Sequence, residues 1–327
     1  MSADLVAAYA ECRRINARHG RSYYLATLLL PAPKRPAIHA LYALARVADD
    51  IVDQPGTDPV RALDSLQRRL LAGDDRDPVV TAARDTITRW RIPWSLFDDF
   101  FAAMRMDLHI ASYPTWTDLL AYMYGSAAVI GLQTLPILDP VPGLAEVAAP
   151  YARDLGLGFQ LTNFLRDVGE DLDRGRIYLP QEDLDNFGVT ATQLRARVVD
   201  DRFRALLGFE IARARGLLAN AGLGIRLLDP TSRDCVRTAL SLYGGILDEI
   251  ERADYRVLDR RVSVGVPRRV RVTVAGLSRA RLARASLARA RPHHTHQASV
   301  CNTSEKPNAR SSIGAWSSRG PRMSPLE

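Results

Sequence analysis

The chain has 327 residues, 47% of them hydrophobic, which is enough for one large core or two small ones. Three scattered cysteines, Cys12, Cys235 and Cys301, exclude a disulfide framework and lack metal-site spacing, so a reducing cytoplasm is the expected compartment. The net charge of +7 belongs to the tail: residues 268–327 hold 12 Lys+Arg against 2 Asp+Glu, and the remainder holds 32 against 35, which argues against nucleic acid as a partner of the folded body.

Apolar positions at helical spacing predict helices over residues 3–19, 34–53, 59–72, 76–90, 93–110, 115–138, 143–172, 190–222 and 229–258. Breakers such as "PAPKRP", "SYPT" and "LDPVPG" separate them. Strand-like alternation is nearly absent, with "RIYLP" the one short extended candidate, so the class is all-α. The first helix has no basic head followed by an apolar run, so no signal peptide is expected. No window approaches 18 consecutive apolar residues, so no spanning helix is expected and any membrane contact is peripheral.

Three regions follow from composition. Residues 1–267 form the helical body, residues 268–291 are an Arg/Ala-rich basic helix candidate, and residues 292–327 read as disordered. In that last region His293, His294 and His296 read as a solvated tract rather than a metal site.

The stretch "QLTNFLRDVGEDLDRGRIYLP", residues 160–180, carries the first chemical signal. At about 100° per residue, Gln160, Asn163, Asp167 and Asp171 fall within roughly 80° of one another on one helix face. The rest of that helix is apolar, which opposes a plain solvated stripe. Asp171 stands four residues after Asp167, where a cation would otherwise relieve the repulsion. The stretch "LYALARVADDIVDQ" repeats the pattern, with Asp49 and Asp53 on the stripe of Tyr42 and Arg46, and Asp50 turned off it. A hard divalent cation such as Mg²⁺ suits paired carboxylates and an amide oxygen, and it usually completes its shell with substrate phosphate. No G-x-x-x-x-G-K-[ST] or G-x-G-x-x-G turn is present, so an apolar helical cavity with diphosphate at its mouth points to an isoprenoid diphosphate rather than a nucleotide. The small-residue run "GSAAVIG", residues 125–131, either packs helices closely or leaves room for a prenyl chain, with a slight preference for the latter.

These residues resemble the squalene/phytoene synthase family, and most of all its bacterial phytoene synthases. The resemblance rests on "ARHGRSYYLATLLLP", "ALYALARVADDIVD", "YGSAAVIGLQTLPIL", "FQLTNFLRDVGEDLDRGRIYLP" and "LYGGILDEIERADYRVLDRRVSV", in family order over residues 5–265. It implies the isoprenoid synthase fold, a single helical bundle around a central cavity. It also implies head-to-head joining of two allylic diphosphates through a cyclopropylcarbinyl diphosphate. Asp49, Asp53, Asn163, Asp167 and Asp171 match the family's metal-site positions, and Asp49, Asp53, Asp167 and Asp171 its catalytic acids. His19, Arg21, Ser22, Tyr42, Arg46, Gln160, Arg166, Tyr243 and Arg261 match substrate-contacting positions. Gly20 stands where the family commonly has serine, which puts one hydroxyl contact to diphosphate in question. Two bland alternatives stay open: Tyr243 as a packed core tyrosine, and Arg261 as a surface arginine of a basic run.

The match to phytoene-type sequences implies two geranylgeranyl diphosphates as substrate, Mg²⁺ (or Mn²⁺) as cofactor and no NADPH. The alternatives are two farnesyl diphosphates giving dehydrosqualene or squalene, and a non-catalytic prenyl-lipid binding protein of the same fold. Other carotenoid-pathway enzymes and a membrane surface are the further partners expected, the membrane through the basic tail.

Overall fold

The computed structural model describes residues 2–53, 58–73 and 76–290. The tail tract with His293, His294, His296 and Cys301 lies outside the described residues. Cys12 and Cys235 are buried free thiols.

Among the described residues fourteen α-helices follow one another. They are α1 (Ala3–His19), α2 (Arg21–Thr27), α3 (Arg35–Asp53), α4 (Pro59–Ala72), α5 (Pro78–Trp90), α6 (Ser95–Met106) and α7 (Trp116–Met123). After a π-helical turn at Tyr124–Ala128 come α8 (Val129–Leu138), α9 (Ala145–Asp173), α10 (Gln181–Asn186), α11 (Ala191–Arg195), α12 (Asp201–Leu223), α13 (Pro230–Arg252) and α14 (Val266–Ala290). Among the described residues no strand forms. "RIYLP" contributes only an isolated bridge, Ser112 to Ile177.

Local chemistry sets many of the starts. Asp77 caps α5 by accepting from Val79 N at 2.9 Å, with Pro78 at the first helical position. Thr115 and Asp118 form a reciprocal capping box at α7. Three boundaries differ from the periodic reading. The helix predicted over 190–222 breaks into α11 and α12, because Arg197 takes a left-handed φ of 56° and Asp200 caps a fresh start. The helix predicted over 115–138 carries the π turn in its middle. The short helices α2 and α10 were missed because one or two turns carry no periodicity to read.

Two clusters of buried apolar side chains make the core. One gathers around α1, α3, α5 and α6, the other around α7, α9, α12 and α13. The run Trp116–Leu138 is long and apolar enough to cross a membrane, unlike the expectation from consecutive apolar residues. Its most apolar window is 61% buried within the bundle, as a core helix would be. The "GSAAVIG" run serves close packing more than space. A methyl on Gly131 would strike the Ala152 carbonyl, and one on Gly156 the Ala127 carbonyl, so α8 and α9 touch backbone to backbone. From that run only Ser126 lines the cavity described below.

The basic helix α14 lies on the body. Ala280 and Thr273 are buried, and a methyl on Gly276 would meet Leu29 and Thr238. Arg268 reaches Asp248 at 2.6 Å, Arg279 reaches Asp234 at 3.1 Å, and Arg284 donates to the Leu29 carbonyl.

Candidate active site

Both aspartate motifs open onto one cavity of about 640 Å³. The amphipathic α3 delivers Tyr42, Arg46, Asp49 and Asp53 to it, because its apolar positions face the core and leave this stripe toward the cavity. The stripe of α9 delivers Gln160, Asn163, Arg166, Asp167 and Asp171. His19, Arg21 and Ser22 come from the junction of α1 and α2, Tyr243 from α13, and Arg261 from the segment before α14. All the residues singled out from sequence therefore line one space. Asp50, turned off the stripe, does not line it and instead accepts from Arg46 Nη2.

Arginines hold the carboxylates. Arg46 Nη1 lies 3.0 Å from Asp49 and Arg176 Nη1 lies 2.8 Å from Asp53. Asp167 is clasped by Arg166 Nε at 2.8 Å and by Arg261 Nε at 2.9 Å. Arg174 lies 3.7 Å from Asp171 and 3.8 Å from Asp53. Sequence spacing alone left the Asp167–Asp171 repulsion to a metal ion. In the structure arginines from beyond the helix share that work.

The repulsion is still felt. Burial, and then the neighbouring Asp53, pushes the Asp49 carboxyl up to about 6. Burial, and then Asp167, pushes Asp171 up to about 7. Carboxylates held this way favour an added cation. Among the described residues no three His, Cys, Asp or Glu side chains converge into a ready-made metal cage. Mg²⁺ takes one or two carboxylates and leaves its remaining positions to water and phosphate. The donor set of Asp49, Asp53, Asn163, Asp167 and Asp171 is all hard oxygen, so these residues fit the ion that their spacing suggested.

The two bland alternatives resolve by contact. Tyr243 stacks on Phe159 with ring centroids 3.8 Å apart, so it is packed, and it also lines the cavity. Arg261 is half exposed, yet it is engaged by Asp167 and lies 3.5 Å from Glu170. Gly20 has a steric reason: a Cβ there would stand 2.6 Å from the Tyr42 ring, so a serine needs that ring to move.

Several lining residues were missed. Asp107, at the end of α6, accepts from Tyr122 Oη at 2.7 Å and Tyr178 Oη at 3.0 Å, and burial holds its carboxyl above the usual range. Phe164 and Tyr178 stack at 4.0 Å beside Tyr122. The Ser126 hydroxyl on the π turn is buried without a partner among the described residues. Arg174 and Arg176 lay within the quoted stretch "DRGRIYLP", and their spacing after the motif was a usable signal. Asp107 carried none, because its partners are far away in sequence.

The family described as Squalene/phytoene synthase matches residues 16–268. A 15-cis-phytoene synthase of Synechocystis sp. is 41% identical over 284 residues, covering 82% of this chain and 84% of that protein. The chloroplastic phytoene synthase of Daucus carota is 36% identical, covering 84% of this chain and 71% of that one. A crystal structure of a dehydrosqualene synthase superposes with a TM-score of 0.77 at 29% identity, covering 84% of this chain and 96% of that one. A squalene synthase from Alicyclobacillus acidocaldarius gives 0.70 at 29% identity, covering 78% and 97%. The helical architecture is the isoprenoid synthase fold of those neighbours, and the chain belongs to the squalene/phytoene synthase family, a family of prenyltransferase-type enzymes.

Proposed function

We propose that the chain joins two molecules of geranylgeranyl diphosphate head to head into phytoene, by way of prephytoene diphosphate. The observation that carries this reading is the pair of aspartate motifs, on α3 and α9, opening onto one cavity that also has basic residues at its rim and apolar walls from Phe100, Met104, Phe164 and Ile246. Identities of 36–41% to proteins named phytoene synthase support the substrate assignment over two farnesyl diphosphates. Over the whole reaction two diphosphates and two protons leave and no hydride enters, so NADPH is not required.

Asp49, Asp53, Asn163, Asp167 and Asp171 would hold Mg²⁺, with Mn²⁺ as substitute, and the ion supplies Lewis-acid withdrawal of charge from departing diphosphate. The chain's own residues do the rest. Arg46, Arg166 and Arg261 stand beside these acids and give the diphosphate fixed positive partners. Tyr42 and Gln160 line the same mouth. Phe100, Met104, Phe164 and Ile246 keep water from an allylic cation. The ring faces of Phe164 and Tyr178 offer it π-electron density.

The test is to incubate the purified protein with Mg²⁺ and either geranylgeranyl or farnesyl diphosphate, with and without NADPH, and to identify the hydrocarbon by mass. Phytoene from the longer substrate without NADPH is the expected result. A thirty-carbon product overturns the substrate. No product from either overturns the enzyme reading.

The product is a hydrocarbon and needs an apolar phase to enter. The outer face of α14 suits a bilayer surface: Val266 and Leu282 are 64% and 68% exposed, Val270 and Val274 lie between them, and Arg271 and Arg281 stand alongside. Apolar residues beside arginines match an anionic lipid interface.

A further inference from the structure

The arginines around the cavity divide into two groups. Arg46, Arg166, Arg174, Arg176 and Arg261 each face a carboxylate of the aspartate motifs. Arg269 does not. It sits in the first turn of α14 and lines the same cavity, beside Ser263 and Val264. Its Nε is buried without a hydrogen-bond partner among the described residues, as are those of Arg46 and Arg284, but unlike theirs the rest of its guanidinium has no carboxylate or carbonyl partner among the described residues. Its neighbours on the helix behave differently. Arg268 and Arg279 are tied to aspartates of α13, and Arg284 to a backbone carbonyl. Those three hold the helix down, while Arg269 is left over, lining the cavity.

A guanidinium N–H buried without a partner is costly, and such groups persist where a ligand completes them. Its fork of N–H donors matches the oxygens of a diphosphate. Two more cations without carboxylate partners among the described residues, Arg18 and Arg21, line the same cavity from the junction of α1 and α2. The proposed reaction brings two anionic heads into one space. The aspartates can hold an anion only through a metal ion, since carboxylates repel phosphate. An arginine without a counter-charge can hold one directly.

We infer that Arg269 binds diphosphate directly and without metal, which makes α14 part of the substrate site. The inference deepens the proposed function, and rests on it for the presence of two diphosphates.

The experiment is calorimetric titration of inorganic pyrophosphate into the full chain in EDTA. The wild type is compared with Arg269→Gln, Arg269→Lys and Arg271→Gln, the last an exposed arginine of the same helix. Wild type should bind. R269Q should bind about tenfold more weakly or worse, the scale of a lost charged hydrogen bond, R269K should recover part of that, and R271Q should match wild type. With prenyl diphosphate, R269Q should raise KM. If R269Q fails to fold, R269K is compared with R271Q, and a weaker R269K supports the contact. Wild type that ignores pyrophosphate in EDTA, or folded R269Q that binds as well as wild type, overturns it. A protein that binds pyrophosphate through Arg269 yet makes no hydrocarbon would sink the proposed function and leave this contact standing. Hydrocarbon formation with R269Q unchanged in affinity and KM would do the reverse.

Discussion

Arg176 Nη1 lies 2.8 Å from Asp53 Oδ1, and this contact joins the loop after the second aspartate motif to the first. The same residue donates its backbone N–H to the Asp171 carbonyl at 2.8 Å and reaches the Asp107 carbonyl at 3.4 Å. Arg176 therefore ties three elements together at the cavity. Replacing it by alanine should lower the melting temperature by a few degrees and cut product formation by about tenfold or more, since a partly buried pair is broken from one side. Arg176→Lys should restore stability better than activity. Thermal melts and product assays on both variants decide the point, and unchanged kinetics in R176A would remove its role.

Asp171 is buried among like charges, and its carboxyl is held well above the usual range. An amide of the same shape removes that repulsion. Asp171→Asn should leave the melting temperature equal or higher while product formation falls by about a hundredfold, the trade expected where a site is built against stability. A large loss of stability in D171N would show instead that the charged form is a structural partner.

Glu210 on α12 is 0% exposed and shares Arg213 with Asp183, at 2.9 and 2.8 Å. Burial is the largest cause that raises its pKa, to about 8. The folded chain then holds a proton that the unfolded chain releases near the ordinary carboxyl value of 4.5. Protons bound in the folded state exceed those in the unfolded state between these values, so Glu210's contribution to stability falls as pH rises from about 4.5 to about 8. Glu210→Gln removes that slope. Melting temperatures of E210Q and wild type at pH 5 and pH 8.5 should therefore shift in favour of E210Q at the higher pH. Parallel curves would contradict the assignment.

Gly20 leaves room for the Tyr42 ring. Gly20→Ala and Gly20→Ser should both lower activity several-fold, because both displace the ring. Equal losses point to the ring. A serine variant better than wild type would show that the absent hydroxyl is the stronger effect. Product assays on the pair separate the two.

The outer face of α14 is proposed to meet lipid. Val270→Asp with Leu282→Asp should abolish flotation with anionic liposomes and leave activity on detergent-solubilised substrate within about twofold, since both side chains are exposed and surface changes cost little. Deleting the whole helix is a poor substitute, because α14 also packs on the body and brings Arg269 to the cavity.

The sequence by itself determined whatever is local to one helix. Asp49 with Asp53, and Asp167 with Asp171, share faces because helix geometry alone places residues four apart in line. The all-α class and most helix positions were legible for the same reason. Residues quoted for their resemblance, such as Tyr243 and Arg261, were found because their motifs are long. Only the tertiary structure decided what meets across helices. Arg176 finds Asp53 over 123 residues, and Asp107 finds Tyr178 over 71, and no periodicity encodes such pairs. The basic run after Pro267 shows the limit most clearly. Its charge and composition read as a basic helix, yet which arginine anchors the helix and which lines the cavity depends on the face that α14 turns to the body, and that face is chosen by packing around Gly276 and Ala280.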